Sequence, residues 1–187
     1  VRRCGPALLL VSIALWSGGS TAAMDATDDP QAGFSFAVVG SSVDEPDRTT
    51  MPLLRAVEQT DARFVVHFNL STPSPASCSD ASLARRRAEL DDSARPVVPV
   101  VAAAEWSSCG KAVHDPFERL EHLGDVLFNS DASLGQQRLQ WLRQSAMPRF
   151  KRYRENLRWH SGNVLFATIN LPDNNNNFRI AAGRNGE

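Results

Sequence analysis

The chain lacks an excess of charge of either sign. Over 187 residues, 20 Lys and Arg face 21 Asp and Glu, a formal net charge of −1. Binding nucleic acid through its phosphates needs clustered, unbalanced cations. The balance therefore argues against a nucleic-acid partner, and no basic stripe interleaved with aromatics is expected. A long hydrophobic run is also missing. The apolar stretch from Ala7 to Trp16 covers about ten residues, against the roughly twenty that a membrane helix requires. Cysteine is scarce, with 3 in the chain and no Cys-x-x-Cys pair, which argues against a structural zinc site. The turn "GSSVD" after Gly40 has no second glycine, so it is not the G-x-S-x-G elbow of a serine hydrolase. No internal repeat is present.

The N-terminal stretch "VRRCGPALLLVSIALWSGGSTAAMDA" has Arg2 and Arg3, a short apolar run, and small residues at Thr21 and Ala23. That order is the pattern of a secretory signal peptide, assigned to residues 1–23. The acidic, small-residue segment 24–33 is a linker, and residues 34–187 form the domain. The expected location is periplasmic or secreted, with no membrane association once the signal is cleaved; the alternative is an uncleaved segment that stays as an anchor. Cleavage removes Cys4 and leaves Cys78 and Cys109, which in an exported protein read as a disulfide. It closes a loop of roughly 30 residues, worth about 3–4 kcal/mol on the chain-entropy model. The competing arrangement is a metal site from Cys78, Cys109, His67 and His114, which lacks the close ligand spacing of zinc sites.

Hydrophobic patterning alternates strand and helix. Strands are expected at Phe34–Val39, Arg63–Phe68, Val97–Val101 and Val164–Asn170, all in one sheet. Helices are expected near 50–60, 80–91, 116–128 and 134–145. The first is capped by Thr49 or Thr50 and has Leu53, Leu54 and Val57 on one face. The third is capped by Asp115, with Pro116 in its first turn and Phe117, Leu120, Leu123 and Leu127 on one face. The fold class is therefore α/β, a largely parallel sheet with flanking helices. The run Arg85, Arg86, Arg87 falls in the second helix and reads as a solvated face, with a phosphate-binding patch as the other reading.

In an open α/β sheet, ligands sit beyond the carboxyl ends of the strands. Here those ends are Gly40–Asp44, His67–Thr72, Ala102–Trp106 and Asn170–Asn177. His67 reads as a hydrogen-bonded rim or core histidine or as a ligand. The third end is unusual, since "VVPVVAAAEWSSCG" leaves its strand through Ala102, Ala103 and Ala104. Alanine supplies neither turn chemistry nor a polar side chain.

The order of several short motifs resembles the calcineurin-like metallophosphoesterases, in particular an exported bacterial branch. The pieces are Gly40 after the first strand, His67 near the end of the second, "EWSSC" (Glu105–Cys109), "DPFERL" (Asp115–Leu120), "ENLRW" (Glu155–Trp159) and "NLPDNNNN". They span roughly residues 34–178. The resemblance implies a metallophosphoesterase-like sheet core in an incomplete αββα sandwich, with the downstream histidine motif and C-terminal strands of the family lying beyond residue 187.

Such enzymes clamp phosphate esters with two divalent ions roughly 3.5–4 Å apart. Position by position, the resemblance puts Ser41 where the family's first Asp stands and Asn69 and Leu70 where its Gly and bridging Asp stand. Ala102, Ala103 and Ala104 take the places of a Gly, a metal ligand and a catalytic neighbour. Gly40, His67 and Glu105 match the family pattern. The vestigial site thus comprises Gly40, Ser41, His67, Asn69, Leu70, Ala103, Ala104 and Glu105, and it implies no catalytic residue, no metal and no cofactor. The expected function is that of a degenerate, non-catalytic relative of phosphate-ester hydrolases, its partner unknown. The alternatives are a truncated gene product without selected function and a hydrolase using other residues, such as Ser41 or Ser42 with His67, or Asp44 with Glu105.

Overall fold

A computed structural model describes residues 33–41, 50–69, 76–109 and 115–171. The signal peptide, most of the linker, Ser42, Asp44, Leu70, His114 and the asparagine run lie outside the described residues. The elements in chain order are β1 (Ser35–Ser41), α1 (Thr50–Glu58), β2 (Ala62–Asn69), α2 (Asp80–Asp91), β3 (Val97–Val100), α3 (Ala104–Ser107), α4 (Pro116–Leu127), β4 (Leu142–Arg143), β5 (Leu157–Ser161) and β6 (Val164–Thr168). Two short 3-10 turns, Gln144–Ala146 and Pro148–Phe150, separate β4 from β5. Among the described residues the protein is mixed α/β, with four helices and two three-stranded sheets.

The first sheet has the order β1-β2-β3 and is parallel throughout. Each strand is separated from the next by a helix, as parallel neighbours require. The register aligns Ser41 with Asn69 and Phe68 with Val100, so the three carboxyl ends lie side by side. Pro99 is tolerated because β3 is the outer strand of this sheet. Beyond it, Val97 and Leu134 exchange both backbone hydrogen bonds, at 2.8 and 3.0 Å.

The second sheet, β4-β5-β6, is antiparallel and corrects the expectation of a single four-stranded sheet. Its cause is local. Ser161 pairs with Val164 across Gly162-Asn163, and Gly162 has φ +54°. A two-residue Gly-Asn turn folds a strand back on its neighbour, so Val164–Thr168 pairs with Leu157–Ser161 and not with the parallel sheet. Leu157, Trp159 and Ser161 are buried while Arg158 and His160 are exposed, the period-2 pattern of a half-buried strand.

The two sheets meet through aromatic rings. Phe64 of β2 stands edge-on to Trp159 at 5.7 Å and to Phe166 at 5.1 Å between centroids. Phe34 and Phe36 contact Phe64 and Phe166, and Trp159 stacks on Phe166 at 5.3 Å. This cluster is continuous with the aliphatic core under the helices, including Leu54, Val57, Leu83, Leu90, Leu123 and Leu127.

Three expected helices form. Asp115 caps α4 by accepting from the N–H groups of Phe117 and Glu118 at 2.9 and 3.1 Å, with Pro116 next to the cap. Ser79 caps α2. Two details differ: Phe117 is 40% exposed rather than on the buried face, and the helix expected near 134–145 is absent. Leu134 is held as an extended residue by Val97, and Gly135 then adopts φ +94°. A Cβ at Gly135 would lie 2.1 Å from the Arg95 carbonyl oxygen, so the chain turns there where only glycine fits.

Candidate functional site at the ends of the parallel strands

The alanine run resolves into the start of a helix. After β3 the chain passes Val101 and Ala102, and α3 begins at Ala104 without a side-chain cap from Ala103. Glu105 lies in its first turn and folds back, its Oε1 accepting from the backbone N–H of Ala102 at 2.9 Å. Trp106 follows as a buried anchor. Ala103 packs against the core, while Ala102 and Ala104 are exposed.

Glu105 is the centre of the site. Its Oε2 accepts from Asn69 Nδ2 at 3.1 Å and is ion-paired with Arg86 Nη1. The side chains of Arg86 and Glu105 are 9% and 5% exposed, so this is a buried pair. Arg86 stands on the inward face of α2 with Leu83 and Leu90. It corrects the reading of Arg85–Arg87 as a solvated face: Arg85 is exposed, Arg86 is buried, and Arg87 is half-buried and pairs with Asp91 at 2.5 Å. The spacing Leu83, Arg86, Leu90 was the available signal, since it puts the arginine on the apolar stripe of a helix.

His67 lies on β2 two residues before Asn69 and is 1% exposed. Burial lowers its pKa from 6.5 to about 3, with the positive charge of Arg86 acting in the same direction. The imidazole is therefore neutral at physiological pH. His67, Asn69 and Arg86 line a cavity of about 20 Å³ together with Thr50, Ser82 and Arg85, roughly enough for one water.

The disulfide holds the rim. Cys78 and Cys109 are bonded, with Cα atoms 5.7 Å apart, within the range for a disulfide. The Glu105 carbonyl oxygen lies 2.8 Å from Cys109 Sγ and 3.6 Å from Cys78 Sγ. Arg119 of the "DPFERL" segment donates from Nη1 to the Cys78 carbonyl at 3.0 Å and to Asp80 at 2.7 Å, which ties α4 to the same corner. Its pKa is raised, first by its bond to Glu118, whose carboxyl is lowered by the same contact. In "ENLRW", Glu155 accepts from Asn170 Nδ2 at 3.1 Å and Asn156 accepts from the Asn170 N–H at 2.8 Å. These bonds fasten the end of β6 to the start of β5.

The structure thus brings Gly40 and the Ser41 backbone beside Phe68 and Asn69, and joins Asn69 and Glu105 directly. The Ser41 side chain and Leu70 lie outside the described residues. A pair of divalent ions needs several carboxylate, amide and imidazole donors. Ala103 and Ala104 offer methyl groups. Both Glu105 oxygens already accept hydrogen bonds, and a guanidinium lies against the carboxylate. Among the described residues, no three His, Cys, Asp or Glu side chains gather as a metal-binding group. The described residues at these strand ends therefore do not by themselves make up a donor set for two metal ions.

No family model, curated protein or solved structure matches this chain. Among the described residues, no helix is long and apolar enough to cross a membrane. The disulfide is suited to an oxidising compartment.

A further feature escaped the sequence reading. Arg149, Phe150, Lys151, Arg152, Tyr153 and Arg154 form a basic run interleaved with two aromatics, contrary to the expectation of none. Arg149, Lys151, Arg152 and Tyr153 are exposed, Arg149 lies over the Phe150 ring, and Arg154 pairs with Asp125.

Proposed function

We propose that this chain is a periplasmic or secreted, non-catalytic relative of the calcineurin-like metallophosphoesterases, keeping part of their scaffold as an incomplete αββα sandwich. The observation that carries the reading is the ion pair between Arg86 and Glu105. It commits the carboxylate that the family resemblance puts beside a dinuclear centre to a guanidinium, and a neutralised carboxylate attracts divalent ions less. The order of motifs from Gly40 to Asn170 supports the family assignment. So do the parallel register of β1, β2 and β3 and the aromatic seam between two sheets. "EWSSC", "DPFERL" and "ENLRW" serve this scaffold by anchoring Trp106, bonding Cys109, holding the Cys78 carbonyl and clasping β5 to β6.

The test is hydrolysis of generic phosphate mono- and diesters by the purified chain with manganese or zinc. No chelator-sensitive turnover is expected. Binding of two divalent ions per chain, with turnover abolished by a chelator, would overturn the proposal.

A further inference from the structure

The basic run after β4 concentrates charge of one sign. Between Asp131 and Glu155 the sequence holds Arg138, Arg143, Arg149, Lys151, Arg152 and Arg154 and no acid, in a chain of net charge −1. Half of these cations are ion-paired with acids from outside the stretch: Arg138 with Asp91, Arg143 with Asp131 and Arg154 with Asp125. Among the described residues, Arg149, Lys151 and Arg152 have no ion-pair partner, and all three are exposed.

The three free cations stand on one closed tip. β4 and β5 pair antiparallel. Beyond them the Gln144 N–H donates to the Asn156 carbonyl at 2.9 Å and the Ser145 N–H to the Tyr153 carbonyl at 3.2 Å. Inside that closure the Phe150 N–H donates to the Met147 carbonyl at 2.9 Å and the Tyr153 N–H to the Phe150 carbonyl at 3.0 Å. Backbone bonds thus shape the tip. No residue from 142 to 154 is buried, so its side chains are not committed to the core. Met147 and Tyr153, which flank the cations in sequence, are 51% and 44% exposed. Arg149 lies over the Phe150 ring at 5.7 Å, and that ring packs on Tyr153.

Free cations and exposed apolar groups on one fixed tip suit a surface that is anionic outside and apolar beneath. We propose that the tip spanning residues 146–153 is a contact site for an anionic lipid bilayer. Arg149, Lys151 and Arg152 meet lipid phosphates. Met147 and Tyr153 enter the headgroup layer, where an amphipathic ring is favoured. Nucleic acid fits less well. Tight binding to DNA engages about 6–10 phosphates, against three free cations here, and one face of the Phe150 ring is covered by Arg149. Each free cation strengthens lipid binding about fivefold, so the contact is reversible rather than a permanent anchor. It departs from the expectation of no membrane association, and it is independent of the family reading.

The experiment is cosedimentation of the full chain with vesicles of mixed phosphatidylglycerol and phosphatidylcholine, titrated in lipid, in low and in raised sodium chloride. The stretch Ala7–Trp16 is common to every variant, so differences between variants report the tip. The variant Arg149→Gln/Lys151→Gln/Arg152→Gln should need about a hundredfold more lipid for half-binding at low salt, and Lys151→Gln alone about fivefold more. Raised salt should shrink both differences. Met147→Ser/Tyr153→Ser should weaken binding about threefold. Arg55→Gln, which removes an exposed cation from α1, should leave binding unchanged and so separates the tip from net charge. Equal binding to vesicles of phosphatidylcholine alone, or a triple variant that binds like Arg55→Gln, would overturn the proposal. Lys151-dependent binding to a short DNA duplex, tighter than to the anionic vesicles, would overturn it in favour of nucleic acid.

Discussion

Arg86 on α2 and Glu105 in the first turn of α3 are nineteen residues apart and form an ion pair with both side chains almost wholly buried. Removing one member of a buried pair leaves the other charge without compensation. Glu105→Ala should therefore lower the unfolding free energy by about 3–5 kcal/mol, read as a drop in the urea midpoint. The double variant Arg86→Met/Glu105→Leu should recover most of that loss. A double variant no more stable than Glu105→Ala would mean that Glu105 acts through its bond to the Ala102 N–H rather than through Arg86.

His67 sets a pH dependence. Its pKa falls from 6.5 to about 3 in the folded protein, so below pH 6.5 the unfolded chain takes up a proton that the folded chain refuses. Stability is full above pH 6.5 and declines as pH drops towards 3, at about 1.4 kcal/mol per unit from this group. Urea titrations from pH 7 to pH 4 should show a shallower decline for His67→Gln than for the parent chain. Parallel declines would show that other groups govern acid unfolding.

The disulfide should act as a strut for the site as well as a constraint on the unfolded chain. Replacing Cys78 and Cys109 by alanine should cost about 3 kcal/mol. It should also loosen α3, detectable as faster amide exchange at Trp106 and Ser107 than at Val65 and Val66 of β2. Uniform acceleration across all four would confine the bond's effect to global stability.

The two sheets depend on one aromatic seam, so Phe64→Ala should destabilise by about 3–5 kcal/mol. Val38→Ala, on the same sheet but 62% exposed, should change stability by about 0.5 kcal/mol or less. Near-equal effects would mean that the seam contributes little to the packing of the sheets.

The parallel sheet and its helices were legible because each strand, cap and amphipathic stripe is written in contiguous residues. Asp115-Pro116 before α4 and the apolar run of β2 are examples. The second sheet was misjudged because its signal is small. β4 has only two residues, and the Gly162-Asn163 turn that orients β6 is a dipeptide between apolar runs. The helix expected near 134–145 failed for a different reason. Leu134 pairs with Val97 from thirty-seven residues away, a tertiary bond that no local pattern encodes. At the site, sequence pointed to His67, Asn69 and Glu105 and missed Arg86. A charge run suggests a wet surface until the helix face on which each arginine falls is counted out.

The bond between Cys78 and Cys109 also gives the chain a covalent ring that contains all of α2 and β3. A single proteolytic cut anywhere inside that ring separates no fragment. The two pieces stay joined through sulfur, with the short strand β3 still laid against β2. Damage of that kind is hidden on a non-reducing gel and revealed on a reducing one, so a single band under oxidising conditions is no guarantee of an unbroken backbone.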